Sequence, residues 1–228
     1  MDSLEGRDIR HEVSRSIRGR WGLVVTKVDL KKELKHLYGP STRKVSVVDV
    51  PRMNYLMIDG EGDPNTSRDY ADAIEALYAV SYAIKFKIKK SEGSVDYAVM
   101  PLEGLWWTDD MSNFSVEDKD AWKWIMMIMQ PEEYVPQELI APSKSEVEKK
   151  KVLPAIPRMR FEGFREGLAA QIMHWGPFSE EGPAIERIHR RIEERGGELR
   201  GKHHEIYLSD LRRTKPERLK TVIRQPFA

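Results

Sequence analysis

The stretch Val45-Ser46-Val47-Val48-Asp49-Val50-Pro51-Arg52-Met53-Asn54-Tyr55-Leu56-Met57-Ile58 reads as two β-strands broken at the proline. β-Branched and aromatic residues fill both halves, and proline lacks the N–H that a strand ladder uses. Gly60, Gly62 and Pro64 then make a loop, with helix N-cap candidates at Asn65-Thr66-Ser67. From Arg68 to about Lys90, Tyr70, Ile74, Leu77, Tyr78 and Ile84 recur at helical spacing among Asp, Glu and Lys. Val95 to Trp107 is extended by composition, and Trp122 to Met129, bounded by Pro131, is its antiparallel partner.

The second half shows the same order. Arg158 to Phe161 and Gly167 to Trp175 read as strands, and Gly176-Pro177 ends the second. Ser179 or Gly182 caps a helix with Ile185, Ile188 and Ile192 on one face, stopped by Gly196-Gly197. Glu198 to Leu208 and Leu219 to Gln225 complete the set, and a charged helix from Pro136 to Lys151 links the halves. The expected fold is α+β, with about eight antiparallel strands, helices on one face and a central ligand groove on the other. Expected boundaries are a flexible N-terminal extension over 1–26 and one domain over 27–228. That domain divides into a first module (about 44–130), the linking helix (136–151) and a second module (158–227).

Composition narrows the function. The chain has 228 residues, with 38 Lys plus Arg against 37 Asp plus Glu, so the net charge is +1. Such balance argues against a nucleic-acid partner. There are no cysteines, which excludes disulfides, thiol nucleophiles and Cys-ligated zinc. The longest central apolar run, Trp124 to Met129, is far too short for a membrane span, and Met1 to Arg20 holds no apolar signal segment. A soluble cytoplasmic protein is expected, with no cofactor and no metal site.

The strongest chemical cluster is His203-His204-Glu205-Ile206-Tyr207-Leu208-Ser209-Asp210. Alternation along a strand sends His203, Glu205 and Tyr207 one way, and His204, Ile206 and Leu208 the other, beneath the helices. A mid-strand carboxylate among apolar residues suits a general acid or base, or a surface ladder with a cation. Glu103 holds the equivalent place in the first half, or is a solvated strand-end acid. Trp106, Trp107, Trp122, Trp124 and Trp175, with Tyr55, Tyr97 and Phe161, exceed what a small core needs. Together they suit a cage for a flat ligand. His174 stands at the groove rim or stabilises a turn, and the basic run from Leu211 to Arg224 reads as an exposed strand edge.

Three segments carry a resemblance. Pro101-Leu102-Glu103-Gly104-Leu105-Trp106-Trp107, His174-Trp175-Gly176-Pro177 and His204-Glu205-Ile206-Tyr207-Leu208-Ser209-Asp210, in this order, resemble the GyrI-like small-molecule-binding proteins over about Lys27 to Phe227. The resemblance implies a duplicated β-α-β-β module and a groove for lipophilic, often cationic or aromatic compounds, with Glu205 as the ligand-facing acid. The 26 leading residues are too few for the helix-turn-helix domain of the family's transcription regulators. The Leu-Trp-Trp and His-Glu-Ile-Tyr-Leu-Ser-Asp segments are similar to those of cyclopropanoid cyclopropyl hydrolases. These open the cyclopropane of DNA-alkylating antibiotics of the yatakemycin and CC-1065 type. That likeness implies a cofactor-independent hydrolase with Glu205 and Tyr207 catalytic. Trp106, Trp107, Trp124, Trp175, Tyr55, Tyr97, Phe161, Glu103 and His174 would contact the substrate, a small lipophilic aromatic molecule. The alternative is a protein that binds such a molecule without altering it.

Overall fold

The computed structural model describes residues 15–18, 24–91, 95–109, 119–210 and 213–228. β1 (Arg15–Arg18) and β2 (Val24–Val28) precede two single-turn helices, α1 (Leu30–Glu33) and α2 (Lys35–Tyr38). Next come β3 (Ser46–Glu61), α3 (Arg68–Lys90), β4 (Val95–Tyr97), β5 (Leu102–Trp107) and β6 (Lys123–Gln130). α4 (Ile140–Glu148) leads to β7 (Arg160–Trp175), α5 (Gly182–Glu193), β8 (His203–Tyr207) and β9 (Lys220–Pro226). The expected extension over 1–26 takes in β1 and the start of β2, two strands of a small sheet ordered β1-β2-β4; its other residues up to 23 lie outside the described ones.

Six strands close into an antiparallel barrel in the order β3-β6-β5-β8-β9-β7. Leaving the small sheet aside, strand, helix, strand, strand occurs twice along the chain, as β3-α3-β5-β6 and β7-α5-β8-β9. The expected eight strands become six because two predicted breaks are not breaks. β3 runs through Pro51 and β7 through residues 162–166, and the two strands pair along their length. Val50 and Arg52 keep their register on either side of the proline, while β6 pairs with β3 only from Asn54 onward. Pro51 therefore sits where one edge of β3 has no ladder to lose.

The same place changes which face each long strand sends outward. Gly60 lies opposite Trp124, whose ring packs edge-on against Tyr70 of α3 at 5.3 Å, so the even-numbered residues there face α3. Val45 and Val47 instead pack with Ile188 and Ile192 of α5. Opposite Val50, next to the proline, Gly167 has φ +77°, a conformation only glycine adopts without strain. One long strand thereby serves both helices.

α3 forms where its signals predict. Ser67 accepts from the Tyr70 N–H at 3.3 Å, Asp69 sits in the first turn, and Lys87, Lys89 and Lys90 occupy the last, complementing the helix dipole. Its buried face, Ala73, Ala76, Leu77, Val80, Ser81, Ile84 and Ile88, covers β3 and β6, where Gln130 donates to Ser81 at 3.1 Å. α5 lays Ile188 and Ile192 over Ala170, Ile172 and Ile223.

The face expected to hold an open groove is the barrel interior, and at one end it is filled. α2 plugs one end: Arg224 donates to the Leu37 carbonyl at 2.9 Å, and Gln171 to the His36 carbonyl at 2.7 Å. Behind the plug lies a buried ionic network. Tyr38 donates to Glu103 at 2.8 Å, and His204 bridges Glu103 and Glu166 at 3.0 Å each. Arg224 then joins Glu166 at 3.0 Å and Gln171 at 2.9 Å. Glu103 is thus neither a groove residue nor a solvated strand end. The basic C-terminal run is not an exposed edge either, since β9 pairs on both sides and Arg224 is buried; Leu211 and Arg212 lie outside the described residues.

Two carboxylates against Arg224 and a protonated His204 make the network neutral. Burial opposes the charge on His204, but Glu166 and Glu103 raise its pKa to about 9. Burial likewise opposes ionisation of Glu166, yet His204 and Arg224 lower it to about 2. His204 thus adds stability in full below 6.5, lost as pH rises through about 9. Glu166 adds stability in full above 4.5, lost as pH falls through about 2. Arg224→Met leaves the acids undercompensated and should cost about 3–5 kcal/mol in urea unfolding. A loss under about 1 kcal/mol would show that the ions do not carry the interior. Against His204→Gln, wild-type stability should fall as pH rises from 6.5 to 9.

Candidate functional site

Glu205 lies on the outer wall of the barrel, between the N-terminal ends of α3 and α5. This reverses the expected faces: His204 and Ile206 point into the barrel, and the Glu205 face is the one the helices flank. Period-two alternation defines two faces but not which one a helix covers. The register places Gly104 of β5 opposite Glu205, and Trp106 opposite His203. A Cβ on Gly104 would come within 2.7 Å of the Trp106 indole nitrogen and 3.1 Å of the Tyr207 hydroxyl. Glycine therefore lets both side chains lie flat across the β5 backbone beside the acid.

Hydrogen bonds converge on Glu205. The Trp106 N–H donates to the Tyr207 hydroxyl at 3.0 Å, which donates to Glu205 Oε2 at 2.8 Å. His203 Nε2 stands 3.3 Å from Oε1. Aromatic rings complete the surround. Trp106 packs against Tyr70 at 5.8 Å and Trp122 at 5.5 Å, and Phe178 meets Tyr207 edge-on at 5.7 Å. The Glu205 side chain keeps 16 % of its surface exposed, so the acid is reachable from solvent.

A second acid faces it. Glu181, the residue before α5, is only 4 % exposed, and its Oε1 has no hydrogen-bond partner. Burial, then the charge of Glu205, pushes the Glu181 carboxyl far above its ordinary range. Burial also works against charge on Glu205, but His203, Tyr207 and Glu181 outweigh it and hold Glu205 below its ordinary range. The pair is thus one neutral acid beside one carboxylate, the state that close like charges impose.

Of the residues expected at the site, the structure brings together Glu205, Tyr207, Trp106 and Trp124. Trp124 is fully buried beneath Tyr70 and backs the site. The others lie elsewhere. Trp107 points to the opposite face of β5, with the Lys202 ammonium 3.6 Å above its ring. Tyr55 is inside the barrel against Phe164, and Tyr97 stacks on Tyr134 at 6.3 Å. Phe161 pairs beside Leu56 in the β3–β7 ladder. Trp175 is 58 % exposed beneath Lys220. His174 contacts the Pro177 carbonyl at 3.0 Å, so it braces the turn that carries Phe178 and Glu181. Tyr70, Phe178 and Glu181 are the residues sequence reasoning missed. Tyr70 was legible as a helix-face aromatic, but nothing in Ser179-Glu180-Glu181 marked one acid for burial.

A mostly buried carboxylate ringed by aromatic side chains between two helices has the makings of a small-molecule site. The comparisons with known proteins agree. The GyrI-like small molecule binding domain matches residues 43–227, and the chain belongs to that family. An uncharacterized conserved protein from Listeria innocua is 39 % identical, with a TM-score of 0.81, covering 88 % of this chain and all of its own. Two structures described as hydrolases from the same organism are 39 % and 38 % identical, with TM-scores of 0.79 and 0.76. They cover 89 % and 88 % of this chain, each along its whole length. No curated protein matches the chain at a significant level. Among the described residues no helix is long and apolar enough to cross a membrane.

The acid pair sets a measurable expectation. Carboxyl-carbon NMR should show Glu181 still protonated at pH 7 while Glu205 is ionised; both titrating near 4.5 would remove the pair. A carboxyl raised by folding costs stability above its unfolded pKa, so Glu181→Gln should melt progressively higher than wild type as pH rises from 4.5.

Proposed function

We propose that the protein is a cofactor-independent hydrolase that opens the cyclopropane ring of flat, aromatic, DNA-alkylating xenobiotics of the yatakemycin and CC-1065 type, protecting the cell. The observation that carries the reading is Glu205, held ionised among Tyr70, Trp106, Trp122, Phe178 and Tyr207. The neighbours described as hydrolases, at 38–39 % identity, support it.

The chemistry follows from the charges. The aromatic rings stack on the flat substrate and exclude bulk water. One water remains, hydrogen-bonded to Glu205. Its oxygen attacks the cyclopropane methylene while the ring C–C bond breaks. The released electron pair aromatises the dienone, whose oxygen becomes a phenolate. Glu205 takes the proton of the attacking water and releases it to solvent, which protonates the phenolate, so the carboxylate is ionised again for the next turnover. The net change is addition of one water. Tyr207 directs its proton at Glu205, fixing the orientation of the carboxylate, and Glu181 stays neutral so that only one negative charge faces the water. A carboxylate held below its ordinary range is a weak base. Orientation and relief of ring strain therefore supply more of the rate than proton abstraction does.

A second reading rests on the same charge: an anion ringed by aromatics attracts a lipophilic cation without changing it. Turnover of a spirocyclopropyl dienone, followed by mass spectrometry, separates the two. The hydrolase yields many equivalents of water adduct, reduced about 10²–10⁴-fold in Glu205→Gln. Binding that stops at one equivalent with the ligand intact establishes the second reading. Undiminished turnover in Glu205→Gln sinks the assigned mechanism.

A further inference from the structure

The barrel has a second opening at the end opposite the α2 plug. A cavity of about 310 Å³ enters there, within the size range of small-ligand pockets. Met57, Leu105, Ile125 and Phe164 supply apolar walls, and Glu166 of the buried network lies among its lining residues. The rim is cationic: Arg160, Arg165, Arg200 and Lys202 all line it. Arg160 is offset by Asp59 and Glu162. Arg165, Arg200 and Lys202 have no carboxylate partner among the described residues. Arg200 is held by the backbone carbonyls of Glu166 and Phe227, and Lys202 rests on the face of Trp107.

We propose that the barrel mouth is a separate binding site for an amphipathic organic anion, its apolar body between Met57, Leu105, Ile125 and Phe164 and its anionic head among Arg165, Arg200 and Lys202. The chemistry is opposite to that of the Glu205 site, where the only net charge is negative. The apolar walls desolvate a hydrocarbon or aromatic body. A planar guanidinium and an ammonium at the rim match a carboxylate or sulfonate head. Burial, then the charge of Arg160, disfavours protonation of Lys202, and a bound anion relieves that crowding. The two sites share one wall: Leu105 points to the mouth, while its neighbours Gly104 and Trp106 adjoin Glu205.

Decanoate is the probe, titrated calorimetrically into the full chain at low salt. Saturable binding near one equivalent is expected, weakened at least about tenfold by the rim double variant Arg165→Glu/Lys202→Glu. Circular dichroism and melting temperature of that variant report whether it folds. Glu205→Gln should bind decanoate as wild type does, so the result is independent of whether the Glu205 site is catalytic. The proposal is overturned by no saturable binding up to about 1 mM, by affinity that survives charge reversal in a folded variant, or by binding lost in Glu205→Gln.

Discussion

The neutral quartet of Glu103, His204, Glu166 and Arg224 inside the barrel is the constraint on which the rest depends. Each member comes from a different strand, β5, β8, β7 and β9, and each is buried. Buried ions stabilise little when compared with well-packed apolar side chains. Their force lies in register. Sliding β8 by one residue would put Glu205 into the network and turn His204 outward, leaving an acid facing two acids. The network thereby decides which side of β8 carries Glu205 outward. Arg224 extends the constraint to the α2 plug through the Leu37 carbonyl, so the end of the barrel is closed by the same set of hydrogen bonds.

On the other side of that wall, the acid pair shows how one sheet supports two electrostatic environments a strand's thickness apart. Inside, Glu166 stays ionised because His204 and Arg224 face it. Outside, Glu205 and Glu181 have one imidazole between them and a surround of aromatic rings, so one acid keeps its proton. The braced turn from Trp175 to Glu181 is part of this arrangement. His174 ties the turn to the end of β7, and the turn delivers both Phe178 and the second acid.

Local signals were legible in the sequence, and closure was not. The helix over 68–90 appears with its predicted limits because periodicity, an N-cap and a basic last turn agree over 23 residues. The long strands were split because Pro51 and the polar run Glu162-Gly163-Phe164-Arg165 look like breaks when only one chain segment is read. Their continuity comes from pairing with each other across more than a hundred residues. For the site, alternation in β8 put Glu205 and Tyr207 on one face, and Trp106 of β5 and Trp124 of β6 lie beside it. The remaining expected aromatics failed because period two leaves the covered face undecided. Glu181 was hidden because its burial comes from tertiary packing of a short turn whose sequence looks solvent-exposed.

Closure of the barrel also bears on how the molecule fluctuates. Every barrel strand has a hydrogen-bonded neighbour on each side, so none can peel away without breaking two ladders at once. Opening motions on the hydrogen-exchange timescale must then divide sharply. Amides bonded within the barrel ladders are expected to exchange slowest, and those of the turn bearing Phe178 and Glu181, outside any ladder, to exchange faster. The wall that carries Glu205 is therefore pinned by two ladders, β5 on one side and β9 on the other, whatever the neighbouring turn does.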